Sequence, residues 1–403
     1  MQLTSAAPPS LESMSAGQGR YLTTRGLTSG LKLGDEAIFH AGLFADIGYD
    51  SNVFFSPSAD AKSSPVLHLT PRLELTNAER DGSIPEGTYY DVFAALDWRE
   101  YLSSDADIKS QNSFNPAAGG IAEFSSGQAL SFALSDTFSR YQQAPYVVSQ
   151  TVLTRDDNMA SATLRFAPGG GRLKVMARYS NLIDKYEGDF DVASNMGNEF
   201  VLDIGWRWLP RTTIYVQAAQ GAITYFHSGN GHSASYPLRT LAGIRGLLTE
   251  KLAVNLAAGY TNAFYSSGKN PSGWGNLGIV AELNYNISVL SQAGIGYHHD
   301  IANSPFIGQY YNMDAIYGSF RQMIAGRVVT YVYGRYEHRT FGSVSRTDNY
   351  LSGGLSIDYM IRNFFLAGVS YTVNVNSSSD TTAATGGVDY AKHVVLFRLG
   401  AVY

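Results

Sequence analysis

The chain has 403 residues, a formal net charge of −5, 16% charged residues and no cysteine. The absence of cysteine excludes thiol chemistry, disulfides and Cys-ligated zinc, and the slightly acidic balance gives no indication of a nucleic-acid partner. No run of about 18 apolar residues occurs, which excludes spanning helices but not spanning strands, whose signal is alternation. The 27 Tyr, 20 Phe and 41 Gly residues are typical of β-structure.

The first 34 residues do not share the pattern of the rest of the chain. Pro8 and Pro9 stand in a Ser-, Thr- and Gly-rich background that has neither the basic start nor the apolar centre of a signal peptide. Such a composition is typical of a mobile segment. We therefore expect residues 1–34 to form a flexible periplasmic tail, with a plug or a docking segment as alternative roles.

From Ile38 onward, apolar and polar residues alternate in segment after segment. The odd-numbered residues from Leu67 to Leu75 are Leu or Pro, whereas the even-numbered ones from His68 to Glu74 are polar or charged. About 18 such segments, each near the roughly 9–11 residues of a tilted spanning strand, predict an all-β fold. We expect one antiparallel up-and-down transmembrane β-barrel over residues 35–403, with 16 strands as the alternative count. A soluble β-sandwich or propeller array is the rival architecture.

The connections between these segments alternate in length. Short links occupy 209–211, 249–251, 286–288 and 361–363, and longer polar ones occupy 227–233, 265–273 and 374–387. Short periplasmic turns and long external loops alternate in this way in outer-membrane barrels. The pattern places the protein in a bacterial outer membrane, with a periplasmic C-terminus and an even number of strands.

The last segment, "HVVLFRLGAVY", ends the chain on an aromatic residue. Its apolar face includes Phe397, Leu399 and Tyr403, and such an ending resembles the signal that the barrel-insertion machinery reads in outer-membrane barrels. Other apolar faces also close with an aromatic residue, which is typical of a girdle at the membrane boundary. The predicted girdle residues are Trp208, Tyr260, Tyr285, Tyr359 and Tyr403.

Strand parity predicts a lumen wall that carries charges of both signs. Buried charges have to pair, and a wet lumen is where a barrel keeps them. The lumen-lining candidates are Arg72, Glu74, Asp97, Arg99, Arg178, Asp203, Arg207, Arg239, Arg245, Glu282, Asp314, Arg335, Glu337, Asp358 and Arg398, and parity also turns Asp46, Asp91, Arg165 and Lys174 inward. Phe93, Tyr215, Tyr331 and Tyr333 are the lumen aromatic candidates, and such rings would favour sugars as solutes.

Possible catalytic groups are few. His298, His299 and Asp300 are consecutive, but a barrel protease needs a second acid and a positioned water. His227 and His232 share a Gly-rich loop without a cluster of carboxylates, and no motif selects one serine for a lipase. We therefore predict no enzymatic activity, no metal site and no cofactor.

The segment "GLFADIGYDSNVFFSP" resembles the start of a broad family of bacterial outer-membrane β-barrel porins. The resemblance rests on the phrase Gly48-Tyr49-Asp50-Ser51-Asn52-Val53 and on Thr70-Pro71 in the next strand, within residues 40–75. Some members resemble eighteen-stranded barrels that accompany exopolysaccharide export. The resemblance implies polysaccharide as a candidate solute and a periplasmic polysaccharide-export protein as a candidate partner.

These patterns predict an outer-membrane channel for a hydrophilic solute, with exopolysaccharide preferred. A general diffusion porin is the first alternative. The second is a structural anchor of an envelope or motility complex with a closed lumen. The expected surroundings are outer-membrane lipid, lipopolysaccharide and the barrel-insertion machinery, with no nucleic acid.

Overall fold

The computed structural model describes residues 30–34, 37–78, 84–143, 153–227, 232–266, 271, 273–304, 309–342, 344–362, 364–379 and 389–403. About 75% of the described residues are in β-strands. The strands are β1 (Leu31–Leu33), β2 (Ala37–Asp50), β3 (Ser64–Thr76), β4 (Gly87–Tyr101), β5 (Ser113–Ser126), β6 (Leu130–Gln143), β7 (Leu153–Phe166), β8 (Leu173–Tyr186), β9 (Asn195–Leu209), β10 (Thr212–Tyr225), β11 (Leu238–Leu247), β12 (Leu252–Asn262), β13 (Leu277–Ser288), β14 (Ser291–Asn303), β15 (Tyr310–Ile324), β16 (Val328–Phe341), β17 (Thr347–Arg362), β18 (Phe365–Ser378) and β19 (Tyr390–Val402).

In the described part of the chain, helical structure occurs only in the connections between strands. α1 (Ala106–Lys109) and α2 (Pro168–Gly171) are single turns, and 3-10 turns occupy Gly188–Ala193 and Gly273–Asn276. Within the described ranges, none of the helices is long and apolar enough to cross a membrane.

The sheet closes on itself. Each strand from β2 to β18 pairs antiparallel with the next, and β19 returns to β2, where Phe397 lies opposite Ile47. The result is a closed barrel of 18 strands, as predicted, and the alternative of 16 is wrong. The short β1 adds to β2 at residues 37–39, in line with the end of β19, where Val402 pairs with Gly42. Residues 1–29 of the predicted tail lie outside the described residues.

The two faces of the sheet differ as the alternation predicts. On β3, Leu73 is 50% exposed, whereas its neighbour Glu74 is 2% exposed. The face that carries Glu74 is the concave one, because its side chains reach across intervening strands: Arg239 of β11 contacts Asp300 of β14 at 3.1 Å. We call this face the inner wall. The outer face exposes large apolar side chains in every part of the barrel, including Phe397 at 60%.

The two ends of the barrel are also different. Turns such as 289–290 and 325–327 join strands at one end, which we call the short-turn end, and the connections 51–63, 102–112 and 263–276 lie at the other, the long-loop end. Of the predicted girdle residues, Tyr260 lies towards the long-loop end of its strand. The other four lie towards the short-turn end: Trp208, Tyr285, Tyr359 and Tyr403.

A belt of outward tyrosines lies around the middle of the strands, and polar side chains bind its hydroxyls. Tyr336 donates to Asn349 at 2.7 Å, Tyr179 donates to Asn198 at 2.6 Å, and Tyr371 bonds His393 at 2.8 Å. Amphipathic rings of this kind suit the boundary between hydrocarbon and water. Aromatic residues therefore mark both edges of the apolar outer surface.

Candidate functional site

The inner wall gathers the predicted lumen residues. Strand register and burial place all of the charged candidates except Asp314 on this face. All four aromatic candidates also lie there, namely Phe93, Tyr215, Tyr331 and Tyr333.

Asp314 corrects the prediction. Its neighbours Met313 and Tyr317 lie on the inner wall: Met313 Sδ is 3.6 Å from Arg335, and Tyr317 donates to Glu282 at 2.6 Å. Asp314 therefore points outward, where it accepts a hydrogen bond from Tyr297 at 2.6 Å. The prediction failed because the inward residues of β15 include Met, Ala and Tyr, so the polar parity of this strand is not the inner one.

The consecutive His298, His299 and Asp300 do not form one group. His298 and Asp300 face inward, whereas His299 faces outward and bonds Asp314 at 2.8 Å. Asp300 accepts instead from Arg239 and Thr261. Among the described residues, no cluster of three or more His, Asp or Glu side chains could hold a metal ion.

The charges of the inner wall are mostly neutralised by immediate neighbours. Arg398 binds Asp46 through two nitrogens at 2.7 and 3.2 Å. Arg245 binds Asp203 in the same way at 2.9 and 2.5 Å, and Glu337 lies between two arginines of β16. Buried charges are costly unless they are paired, which explains these contacts. Within each pair the two charges cancel most of each other's electric field.

Polar side chains also form a continuous chain of hydrogen bonds across β10 to β15. Tyr215 donates to Asn255 at 2.9 Å, and Asn255 donates to Glu282 at 2.9 Å. Glu282 accepts a further bond from Tyr317, and the guanidinium of Arg245 covers the Tyr215 ring at 4.3 Å. This network fixes the rings on the wall.

Several inward aromatic rings pack directly against glycines of the neighbouring strand. A β-carbon at Gly354 would come within 2.5 Å of the Tyr333 ring, and one at Gly400 within 2.7 Å of Phe44. Glycine therefore lets these rings lie close to the wall, where Phe44 is buried against Leu366 and Val402 and Tyr333 stays partly exposed. The rings of Tyr331 and Tyr333 are adjacent, with centroids 5.8 Å apart.

The phrase Gly48–Val53 has a structural role at the long-loop end that the sequence did not predict. Lys392, on the last strand, donates to Asp50 at 2.7 Å and to the backbone oxygen of Asn52 at 3.0 Å. The Asn52 side-chain amide donates to the backbone oxygen of Ser56 at 2.7 Å and accepts from the backbone N–H of Ser56 at 2.9 Å. These bonds form a buried clasp that pins the loop 51–63 to the seam between β2 and β19.

The clasped loop packs against the inner wall. Val53 contacts a buried cluster with Ile108 of α1, Val66 and Tyr101. Tyr101 also donates to Asp50 at 3.0 Å, which joins this cluster to the clasp. The loop 51–63 and α1 therefore narrow the long-loop end of the lumen.

A closed antiparallel barrel with an apolar outer surface, aromatic edges and a polar inner wall defines a transmembrane β-barrel of the outer-membrane type. No family model matches the chain, and no curated protein matches it by sequence.

Solved structures with a similar arrangement include OccAB3 of Acinetobacter baumannii, at 10% identity and a TM-score of 0.46, over 91% of this chain and 99% of that one. The siderophore receptor PirA of the same organism is 9% identical, with a TM-score of 0.45 over 93% of this chain and 81% of that one. FauA, the alcaligin outer-membrane receptor of Bordetella pertussis, is 12% identical, with a TM-score of 0.39 over 93% and 76%.

Proposed function

We propose that the protein is an aqueous conduit of the outer membrane for hydrophilic solutes, with export of exopolysaccharide as its role. Eighteen strands about 4.8 Å apart and tilted by about 40° close at a backbone diameter of roughly 35 Å. Barrels of this size leave room for water between opposite walls. The short-turn end then lies in the periplasm.

The observation that carries the proposal is the composition of the inner wall, where paired charges alternate with ring faces. Paired charges bind hydrated solutes without a strong preference for one sign, because each cation is already matched by an anion. The pair Tyr331–Tyr333 offers apolar ring faces, onto which the CH faces of sugars can pack. A polymer gains from many weak contacts of this kind at once.

Export of a polymer also requires a protein that delivers the polymer to the barrel from the periplasm. In the proposed role, a periplasmic export protein delivers the chain to the short-turn end of the barrel. Lipopolysaccharide and outer-membrane lipid contact the outer face.

Planar-bilayer recording tests the proposal. Purified protein should conduct with a cation/anion permeability ratio near unity, since the inner wall carries nearly equal numbers of the two signs. Soluble polysaccharide added to the periplasmic side should block the current more than small sugars do. Free passage of small sugars with no effect of the polymer would instead identify a general diffusion porin.

One observation favours a second candidate, an envelope anchor with a closed lumen. The loop 51–63 and α1 are held rigidly across part of the long-loop end by Asp50 and Lys392. A barrel that stays closed after deletion of residues 1–34 and after Lys392→Met would support the anchor. A barrel that conducts in either form supports the conduit.

A further inference from the structure

The charges of the inner wall are unevenly distributed. Arg165, Lys174, Arg178 and Arg207 lie on β7, β8 and β9, and all four are on the inner wall towards the short-turn end. The strand register brings them together on one surface. Arg165 pairs with Met176, which lies between Lys174 and Arg178 on β8. Lys174 pairs with Gly205, two residues before Arg207 on β9. We call these four residues the basic patch.

The basic patch is only partly neutralised. Arg165 contacts Glu123 at 3.1 Å and Arg178 contacts Glu199 at 3.4 Å, and the two arginine side chains stay 44% and 41% exposed. Lys174 is exposed, and Arg207 donates only to the backbone oxygen of Gly170 at 2.9 Å. No carboxylate in the described ranges lies at ion-pair distance from Lys174 or Arg207.

This arrangement contrasts with the rest of the wall, where arginines such as Arg335 and Arg398 are buried in pairs. Those pairs are explained by the cost of burying charge. The basic patch is different, because its cations are partly exposed and, among the described residues, only Arg165 and Arg178 contact a carboxylate. In a chain of net charge −5 these cations form a local positive region at the mouth of the lumen. A charged, concave mouth concentrates ions of the opposite sign.

The aromatic pair lies across the lumen from this patch. In the closed barrel, β16 lies halfway round from β7, and Tyr331 and Tyr333 belong to the half of β16 nearer the short-turn end. Arg321 of β15 pairs with Tyr331 in register and is exposed. A chain that enters at the short-turn end therefore meets cations on one wall and ring faces with a further cation on the other.

We infer that the barrel binds an acidic saccharide chain, whose sugar units carry carboxylate groups, at its short-turn end. The inference rests on the proposed function and narrows its solute class. Lys174 and Arg207 bind the carboxylates, and the faces of Tyr331 and Tyr333 bind the sugar rings. Charge and stacking together select an acidic polymer over a neutral polymer and over small anions, because only the acidic polymer uses both walls repeatedly.

The test measures block of the conductance from the short-turn side by an oligomer of galacturonic acid and by a neutral glucose oligomer of equal length. The acidic oligomer should block at lower concentration, and raising the salt to about 1 M should reduce the difference because exposed charges are screened. The double variant Lys174→Gln/Arg207→Gln should weaken the acidic block by roughly two- to tenfold and leave the neutral block unchanged. Tyr331→Leu should weaken both.

Lys251→Gln is the matched control, since it removes an exposed cation from a short turn away from the patch. Equal block by the two oligomers in a conducting barrel, or an acidic block unaffected by the double variant, would overturn the inference and leave the conduit intact. A barrel that never conducts would overturn the conduit instead. Calorimetric titration of detergent-purified protein with the acidic oligomer then tests the basic patch independently, and loss of binding in the double variant supports it.

Discussion

Leu256 and Asn255 are neighbours on β12 that face different surroundings. Leu256 lies on the apolar outer face, and Asn255 joins the inner hydrogen-bond network between Tyr215 and Glu282. We expect Leu256→Arg to lower the free energy of unfolding by about 2–4 kcal/mol, because it places a charge in the hydrocarbon region. Asn255→Arg should cost much less, since Glu282 lies beside it in water. Urea titration of refolded protein in lipid vesicles measures both variants. Equal costs would contradict this assignment of the two faces, and a larger cost for Asn255→Arg would reverse it.

At this scale the sequence predicted which face a residue occupies but not its partners. Parity succeeded for Glu74 and Leu73 because one face of β3 is uniformly apolar. It failed for Asp314, whose strand has apolar residues on both faces. The clasp of Asp50, Asn52 and Lys392 could not be predicted, because Lys392 lies 340 positions from Asn52 and only barrel closure brings the two together.

At the scale of an element, α1 depends on ionised carboxylates. The Asp105 side chain caps its first turn by accepting from the backbone of Asp107 at 2.8 Å, and Lys62 contacts both carboxylates at 2.9 Å. The hydrogen bond from Lys62, followed by that from the Asp107 backbone, lowers the pKa of Asp105. Because the pKa of Asp105 is lower in the folded than in the unfolded chain, its ionised form stabilises the folded loop at pH values above the pKa of the unfolded chain. This stabilisation is lost as the pH falls through the pKa of the folded chain.

Amide hydrogen exchange in residues 106–109, corrected for the intrinsic rate, should therefore speed up below about pH 4. Asp105→Asn is the matched control, because asparagine keeps a capping oxygen but does not titrate in this range. Its exchange should depend less on pH in the acid range than that of the native chain. The same acid dependence in both proteins would show that another group controls α1.

The strands are longer than the alternation indicates. We expected roughly 9–11 residues per strand, whereas β17 has 16 and β16 has 14. The added length lies mainly beyond the tyrosine belt, where His338 and Asn349 face outward. There both faces of the sheet meet water, so apolar and polar residues no longer alternate in the sequence. The strands nevertheless stay paired by backbone hydrogen bonds.

The orientation of the barrel in the membrane is testable. A protease added to intact cells should cut within 227–233 or 374–387, since long loops face outward in such barrels, and should spare 209–211 and 361–363. Mass spectrometry of the released fragments identifies the sites, and permeabilised cells provide the comparison. Cleavage of the short turns in intact cells would place the basic patch at the external surface.

The clasp at the seam also bears on how the barrel assembles. Closure joins strands whose paired side chains, Asp46 and Arg398, stand 352 positions apart, so one edge of β2 stays open until β19 pairs with it. Contacts of such high sequence separation form slowly, and an unpaired edge invites aggregation. When β19 pairs with β2, Lys392 contacts Asp50 at the end of β2 and Asn52 in the loop 51–63. These buried contacts oppose reopening of the seam. The contacts that hold the loop at the mouth of the lumen therefore also resist separation of β2 from β19, the seam at which the barrel closes.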